Sequence, residues 1–146
     1  MQDFPHHYSV VAESGVEGDV TLDAQGLPTV ASAAPAEFGG PGNRWSPETL
    51  LVGAVADCFI LTFRAVAQAS KFSWISLRCD AEGALDRVER VTQFTGFIVR
   101  ATLRVPAGTD EAQAERLLAR AEKACLIRNS LKADSQLETK VEIDAG

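Results

Sequence analysis

The chain has 146 residues, an apolar fraction of 46% and a charged fraction of 23%, which are typical of one soluble globular domain with its own hydrophobic core. Its 20 acidic residues outnumber 14 basic ones and give a net charge of −6. This balance argues against nucleic acid as the main partner, because phosphate binding requires a concentrated basic surface. We expect a single domain over residues 1–146.

The N-terminal third predicts β-structure. Strands are expected at 7–12, 20–22 and 27–31, with a turn at 23–26. The start, Met1–His7, has neither a basic beginning nor an apolar segment, so no secretory signal is predicted. We therefore expect a cytoplasmic protein whose cysteines are kept reduced.

A loop is predicted from Ala34 to Ser46, because two prolines and three glycines interrupt this segment. The loop carries two large apolar residues, Phe38 and Trp45. We expect Trp45 to anchor the loop to the core, whereas Phe38 could either anchor it or form a wall of a substrate pocket.

A long helix is predicted to follow the loop and to end near residue 70. Ser46 can cap it, Pro47 suits the first helical position, and Glu48 complements the positive end of the helix dipole. Only two residues between 50 and 63 are polar, so we expect this helix to be covered on all sides, at the centre of the protein or of an oligomer.

The same segment approaches the length of a membrane span. It contains Asp57 and Arg64, however, and a charge at the centre of a bilayer is costly. A globular helix and no membrane association are therefore expected.

The remaining elements alternate between strands and helices. We predict strands at 74–83, 91–105 and 137–144, a hairpin link at 85–90, a helix from Thr109 or Asp110 to Cys125, and a short helix at 126–132. The order β-β-β-α-β-β-α-α-β predicts the α+β class. In the strand 91–105, Gln93 and Thr95 are expected to share the apolar face with Phe97 and the residues alternating after it.

Three cysteines are candidates for chemistry. Cys79 lies on the apolar face of a predicted strand, where a thiol behaves as a small hydrophobe. Cys58 lies within the apolar helix and could also be core filler. Cys125 lies at the start of a short helix, where free backbone N–H groups should lower its pKa. The sequence shows neither a C-x-x-C pair nor a histidine-rich segment, so no metal site is predicted.

Three sequence segments together resemble the OsmC/Ohr family. They are Trp45-Ser46-Pro47-Glu48-Thr49-Leu50-Leu51, Ala56-Asp57-Cys58-Phe59, and Ala121-Glu122-Lys123-Ala124-Cys125 with Asn129 after it. The resemblance extends from about Tyr8 to Ile143. It implies a two-layer α+β fold, with antiparallel sheets around a long buried central helix, and an intertwined homodimer with two active sites at its interface.

The resemblance also implies an activity, that of a cysteine-based hydroperoxide reductase (a thiol peroxidase) acting in the oxidative stress response. Cys58 matches the peroxidatic cysteine, Cys125 the resolving cysteine, and Glu48 the acidic residue that anchors an active-site arginine. The implied partners are a peroxide and an external dithiol reductant such as a lipoyl group or thioredoxin. Neither a metal nor an organic cofactor is implied.

Helix geometry limits how Glu48 can serve the site. Glu48 and Cys58 are ten residues apart on one predicted helix, which places them about 15 Å apart along its axis. They cannot meet within one chain. If both serve one site, Glu48 must come from the other subunit.

The activating arginine departs from the family pattern. Where Ohr-type members have Gly-Gly-Arg, this chain has Gly15-Val16-Glu17-Gly18-Asp19. Arg44 is the nearest substitute and Arg128 a weaker one, although both could be surface residues. A second departure is Leu126, where the family commonly has proline.

The missing arginine leaves an alternative open. The chain could be a non-catalytic dimer that binds a small apolar ligand at its interface, with thiols that only pack. For the peroxidase, four aromatic residues could line a pocket for an organic substrate: Phe38, Trp45, Phe59 and Phe63.

Overall fold

The computed structural model describes residues 1–145. Its elements are β1 (Val11–Glu13), β2 (Val20–Asp23), β3 (Val30–Ser32), α1 (Pro47–Ala69), β4 (Ser76–Val88), β5 (Val91–Val105), α2 (Glu111–Ala124), α3 (Leu126–Asn129) and β6 (Asp134–Ile143). The predicted α+β order is confirmed. The contacts group the chain into two compact units, Met1–Leu50 and a second that begins at Leu51.

The first unit is a small antiparallel sheet of order β1-β2-β3. Two of its strands are shorter than the sequence predicts, since β1 begins only at Val11 and β3 only at Val30, whereas β2 extends one residue further, to Asp23. The delay before β3 has a local cause. Gly26 takes a left-handed φ of 76° in a turn that the Leu27 N–H closes onto the Ala24 carbonyl, and Pro28 then lacks a backbone donor.

The predicted start of α1 is confirmed. Ser46 Oγ accepts a hydrogen bond from the Thr49 N–H at 3.1 Å, and the Ser46 N–H donates to Thr49 Oγ1 at 2.8 Å. This reciprocal pair satisfies two backbone donors at the helix start, so the first turn of α1 is fixed by two short side chains.

Helix α1 is buried along one stripe only. Val55, Phe59, Phe63 and Ala67 follow one another at four-residue spacing and are at most 2% exposed. Leu61, on another side, is 51% exposed. Within one chain α1 is therefore not covered on all sides, and its burial at the centre of an oligomer stays a prediction. By length and composition alone α1 could also cross a membrane, but its packed stripe is that of a core helix.

The second unit is a sheet of order β4-β5-β6 packed with helices. β4 and β5 are antiparallel, whereas β5 and β6 are parallel, so the chain between them must cross over. Helices α2 and α3 lie in that crossover. The core combines the α1 stripe with the inward face of β5 and the apolar face of α2.

The β4–β5 hairpin is longer and tighter than the sequence predicts. Both strands reach a two-residue turn at Glu89 and Arg90, which have positive φ values of 49° and 69°. A bulge also interrupts the ladder, because Ala84 pairs with Gly96 while the next residue pairs with Phe94.

The bulge corrects the predicted face of β5. Thr95 is the extra residue and is exposed, and Phe94 turns onto the core face. There its ring stacks on Phe97 at a centroid distance of 5.2 Å. The expectation that Gln93 and Thr95 share this face assumed unbroken alternation, which the bulge removes.

Candidate active site

Cys58 lies near the middle of α1, on the side of the buried stripe. Its side chain is 9% exposed and its neighbour Phe59 is 1% exposed. Asp57, the residue before it, faces solvent, so its negative charge does not oppose a thiolate at Cys58.

Cys125 forms the junction between α2 and α3. It ends α2 and precedes the first residue of α3, with an extended backbone at φ −63° and ψ 110°. Its own N–H bonds the Glu122 carbonyl at 3.3 Å, and its side chain, 2% exposed, does not cap α3. The first N–H groups of α3 are therefore free to bind another acceptor.

The fold brings the two thiols into contact. Cys58 and Cys125 lie 67 positions apart in the sequence, yet each acts on the pKa of the other, and both cysteines are reduced. The contact joins the middle of α1 to the crossover between β5 and β6.

The surroundings of Cys58 favour its thiolate. Burial acts to raise the pKa of Cys58, but four hydrogen bonds outweigh it and hold the pKa below that of an ordinary thiol. In order of size, the donors are the backbone of Ile127, the Cys125 thiol, the Thr62 hydroxyl and the backbone of Leu126. Two of the four come from the start of α3.

Cys125 behaves in the opposite way. Burial raises its pKa, and the neighbouring Cys58 raises it further, since a proton on Cys125 favours the thiolate of Cys58. The expectation that the helix start would lower the pKa of Cys125 is wrong. Backbone groups of Arg128 and Ile127 do act in that direction, but they do not offset the other effects. Amides of α3 thus act on both thiols, but only the pKa of Cys58 ends below that of an ordinary thiol.

Cys79 is the least acidic of the three thiols. Burial, followed by the charge of Asp80, raises its pKa to about 11. It packs against the core from β4, which agrees with the filler role that the sequence predicts.

Thr62 is the site residue that sequence reasoning missed. It lies one helical turn after Cys58, and its Oγ1 is 3.7 Å from Cys58 Sγ. The same hydroxyl donates to the Cys58 carbonyl at 2.6 Å. The sequence signal that could have identified Thr62 is its spacing of four residues from Cys58, which places both side chains on one face of a helix.

The candidate arginines are occupied elsewhere. Arg44 Nε lies 3.0 Å from Asp19 Oδ2 in the first unit, and Arg128 lies 3.7 Å from Glu122 in the second. Within residues 1–145, neither arginine contributes to the lowered pKa of Cys58. Glu48, in the first turn of α1, has a buried Oε1 that accepts no hydrogen bond within residues 1–145.

The aromatic residues do not form one pocket. Phe59 and Phe63 are closed into the core, at 1% and 0% exposed. Trp45 is 56% exposed, so the expectation that it anchors the loop is wrong. Phe38 instead lines an apolar cavity of about 570 Å³ in the first unit, whose wall also includes Glu48.

Comparison with known proteins identifies the family. The family model described as OsmC-like protein matches residues 40–140. The chain belongs to the OsmC-like family. Among its relatives, protein YmaD of Bacillus subtilis is 28% identical over 145 residues and covers 97% of both chains. An organic hydroperoxide resistance protein of Xanthomonas axonopodis is 29% identical over 123 residues, which are 82% of this chain and 78% of the relative.

Solved structures of OsmC-like proteins share this fold. An OsmC-like protein of Vibrio cholerae matches with a TM-score of 0.83 and 19% identity, over 92% of this chain and 99% of that one. An organic hydroperoxide resistance protein OsmC of Legionella pneumophila matches with a TM-score of 0.75 and 26% identity, over 96% and 99%. The OsmC-like fold and a divergent place within the family are thereby confirmed.

Proposed function

We propose that this OsmC-like protein is a cytoplasmic thiol peroxidase that reduces organic hydroperoxides or hydrogen peroxide. The observation that carries the proposal is the coupling of Cys58 and Cys125 within the fold, which makes one thiol more acidic and the other less. Relatives named organic hydroperoxide resistance proteins support the same substrate class.

The chemistry follows from the two different thiols. The Cys58 thiolate attacks one peroxide oxygen, the O–O bond breaks, and the leaving oxygen takes up a proton to depart as an alcohol or water. Cys58 becomes a sulfenic acid. The Cys125 sulfur then attacks the Cys58 sulfur, forming a disulfide and releasing water, and an external dithiol restores both thiols.

A homodimer would complete this site. The side of α1 outside its stripe is apolar and partly exposed, as Leu61 illustrates, and a second copy could cover it. Glu48 is ten residues from Cys58 on α1 and has a buried carboxylate oxygen without a donor in its own chain. In a dimer, Glu48 would serve the site of the other subunit.

The test is peroxide consumption. Wild-type protein with dihydrolipoamide should consume cumene hydroperoxide, tert-butyl hydroperoxide or hydrogen peroxide over many turnovers. Cys58→Ser should leave only the uncatalysed background, because a hydroxyl cannot replace the thiolate as nucleophile at neutral pH. Cys79→Ser is the matched control and should retain the wild-type rate, since its thiol is core filler with a pKa of about 11.

A Cys58→Ser variant that consumes peroxide as fast as wild type would overturn the mechanism. Replacing dihydrolipoamide with thioredoxin and its reductase in the same assay would identify the class of dithiol. Equal rates with every dithiol would argue against a dedicated reductant.

A second function is favoured by the cavity in the first unit. Its walls are largely apolar, formed by residues such as Val20, Leu22 and Phe38, and a small apolar ligand could occupy it without any redox step. Thiol titration after one equivalent of peroxide separates the two functions. Rapid loss of two thiols per chain supports the peroxidase, and inert thiols support the ligand-binding protein.

A further inference from the structure

Among residues 1–145 no arginine acts on the sulfur of Cys58, yet its surroundings favour the thiolate. Among residues 1–145, the two candidate arginines are in ion pairs, Arg44 with Asp19 and Arg128 with Glu122. Cys125 is the titratable group that acts on Cys58, and it acts as a neutral donor. The negative charge on Cys58 must therefore be held by neutral groups within this chain.

Thr62 is the side-chain hydroxyl placed to do this. Its Oγ1 lies 3.7 Å from Cys58 Sγ, within the range of a hydrogen bond to sulfur, and 2.6 Å from the Cys58 carbonyl oxygen. One hydroxyl proton can serve only one of these acceptors at a time. The position of that proton can thus follow the protonation state of Cys58.

Turning the hydroxyl toward sulfur costs the backbone little. In an α-helix the Cys58 carbonyl also accepts the N–H of the residue four positions later, which is Thr62 itself. The carbonyl therefore keeps its main-chain partner when the hydroxyl leaves. When Cys58 is protonated, its S–H can in turn donate to Thr62 Oγ1, so both states are satisfied.

We propose that Thr62 is a catalytic residue, whose hydroxyl turns from the Cys58 carbonyl to the Cys58 sulfur and holds the attacking thiolate in place of an arginine. The inference deepens the proposed function and rests on it for its catalytic consequence. The α3 amides and the Cys125 thiol supply the other hydrogen bonds to the same sulfur. The hydroxyl differs from the amides in that it can change partners.

The test compares Thr62→Val with Thr62→Ser. Valine keeps the branched shape of threonine but has no hydroxyl, and serine keeps the hydroxyl. Titration of the Cys58 thiolate, by absorbance near 240 nm or by the pH dependence of iodoacetamide labelling, should show the midpoint raised by about one pH unit in Thr62→Val, as expected for one hydrogen bond to a charged acceptor. Thr62→Ser should remain near the wild-type midpoint.

Peroxide consumption supplies the second measurement. Below the midpoint, Thr62→Val should react about tenfold more slowly than wild type, and raising the pH should restore its rate, because only the thiolate fraction has changed. Thr92→Val, on the exposed part of β5, is the matched control and should leave both measurements unchanged. Far-UV circular dichroism verifies that each variant is folded.

An unchanged thiolate midpoint in folded Thr62→Val would overturn the inference, as would a slower rate that raising the pH does not restore. Labelling requires no turnover, so its outcome is independent of the proposed peroxidase. A wild-type protein that consumes no peroxide would instead refute the proposed function, and the labelling midpoint would still decide whether Thr62 holds the thiolate.

Discussion

Two regions of the molecule differ in whether one chain supplies all of their hydrogen-bond partners. They are the thiol pair of Cys58 and Cys125, and the charged groups near the start of α1, Glu48 and Arg44. Around Cys58, backbone amides, a hydroxyl and a second thiol all converge within the unit that begins at Leu51. Around Glu48 the opposite holds, since a buried carboxylate oxygen has no donor among residues 1–145. The hydrogen bonds that lower the pKa of Cys58 thus come from a single chain, whereas Glu48 has a buried acceptor without a donor among the described residues.

The two parts of such a site can therefore diverge separately. Loss of the Gly-Gly-Arg arginine would remove a cation from the charged region, while the hydrogen bonds that favour the Cys58 thiolate lie in a different part of the chain. The thiol chemistry could therefore be retained without that arginine, with neutral donors in its place.

The largest expected effect is that of Cys125→Ser. The first turnover should occur near the wild-type rate, because serine still offers a donor to Cys58. No disulfide can follow, so excess peroxide should carry Cys58 to a sulfinic acid, and intact-mass spectrometry should record a gain of about 32 Da. Wild-type protein under the same conditions should instead lose about 2 Da, as its two thiols form a disulfide. A disulfide-like loss in Cys125→Ser would point to Cys79 as the resolving thiol.

The order of thiol labelling gives the next largest effect. At neutral pH iodoacetamide should modify Cys58 first, and Cys79 at least about 100-fold more slowly, because only the thiolate reacts and the pKa of Cys79 is raised to about 11. Labelling of Cys58 should rise with pH and reach its plateau below the range of an ordinary thiol, since its pKa is lowered. Peptide mapping of timed samples measures both. Faster labelling of Cys125 than of Cys58 would reverse the assigned roles.

The role of the charged groups near the start of α1 is tested by Glu48→Gln. If its carboxylate serves the other subunit's site, peroxide consumption should fall about tenfold, the weight of one charge-assisted hydrogen bond, without moving the thiolate midpoint of Cys58. Glu111→Gln, at the start of α2, is the matched control because Glu111 has the same charge at a helix start but is exposed. An unchanged rate in Glu48→Gln would contradict a role in the site. Glu48 would then act only as a favourable charge at the start of α1, which stabilises the fold by about 0.5 kcal/mol.

Mixing variants tests the shared site directly. A dimer of one Glu48→Gln chain and one Cys58→Ser chain has one site in which both residues are wild type, provided that each site draws on both subunits. The mixture should then be more active than the sum of its components. Activity no higher than that sum would contradict the shared site.

Arg44→Met should have the smallest effect. The pair with Asp19 is partly exposed, with side chains 41% and 35% accessible, so its loss should cost about 0.5 kcal/mol and lower the melting temperature by about 1–2 °C. The thiolate midpoint of Cys58 should not move. A shift of that midpoint would indicate that Arg44 does stabilise the Cys58 thiolate.

Much of the fold could be predicted from local signals. The start of α1 follows from Ser46 and Pro47, and the bounds of β5 from its alternating pattern. The bulge at Thr95 and the tight turn at Glu89 could not be predicted, because both depend on how two strands pair rather than on either strand alone. The one-sided burial of α1 depends likewise on what packs against it.

The site was predictable in its residue types but not in its electrostatics. The resemblance indicated Cys58 and Cys125, and the fold does bring them together. Which thiol the amides of α3 would favour depends on their direction in space, and the sequence-based expectation for Cys125 had the wrong sign. Thr62 carries no motif, and only the distance from its hydroxyl to the sulfur distinguishes it.

The parallel pairing of β5 with β6 has a consequence for how the protein matures. The donors from α3 lie in the crossover between these strands, and parallel pairing across such a connection requires long-range loop closure during folding. Until the crossover docks, Cys58 lacks these donors and behaves as an ordinary thiol. If Cys58 is the attacking thiol we propose, its raised acidity would be acquired only with this long-range step, when Cys125 also comes into place.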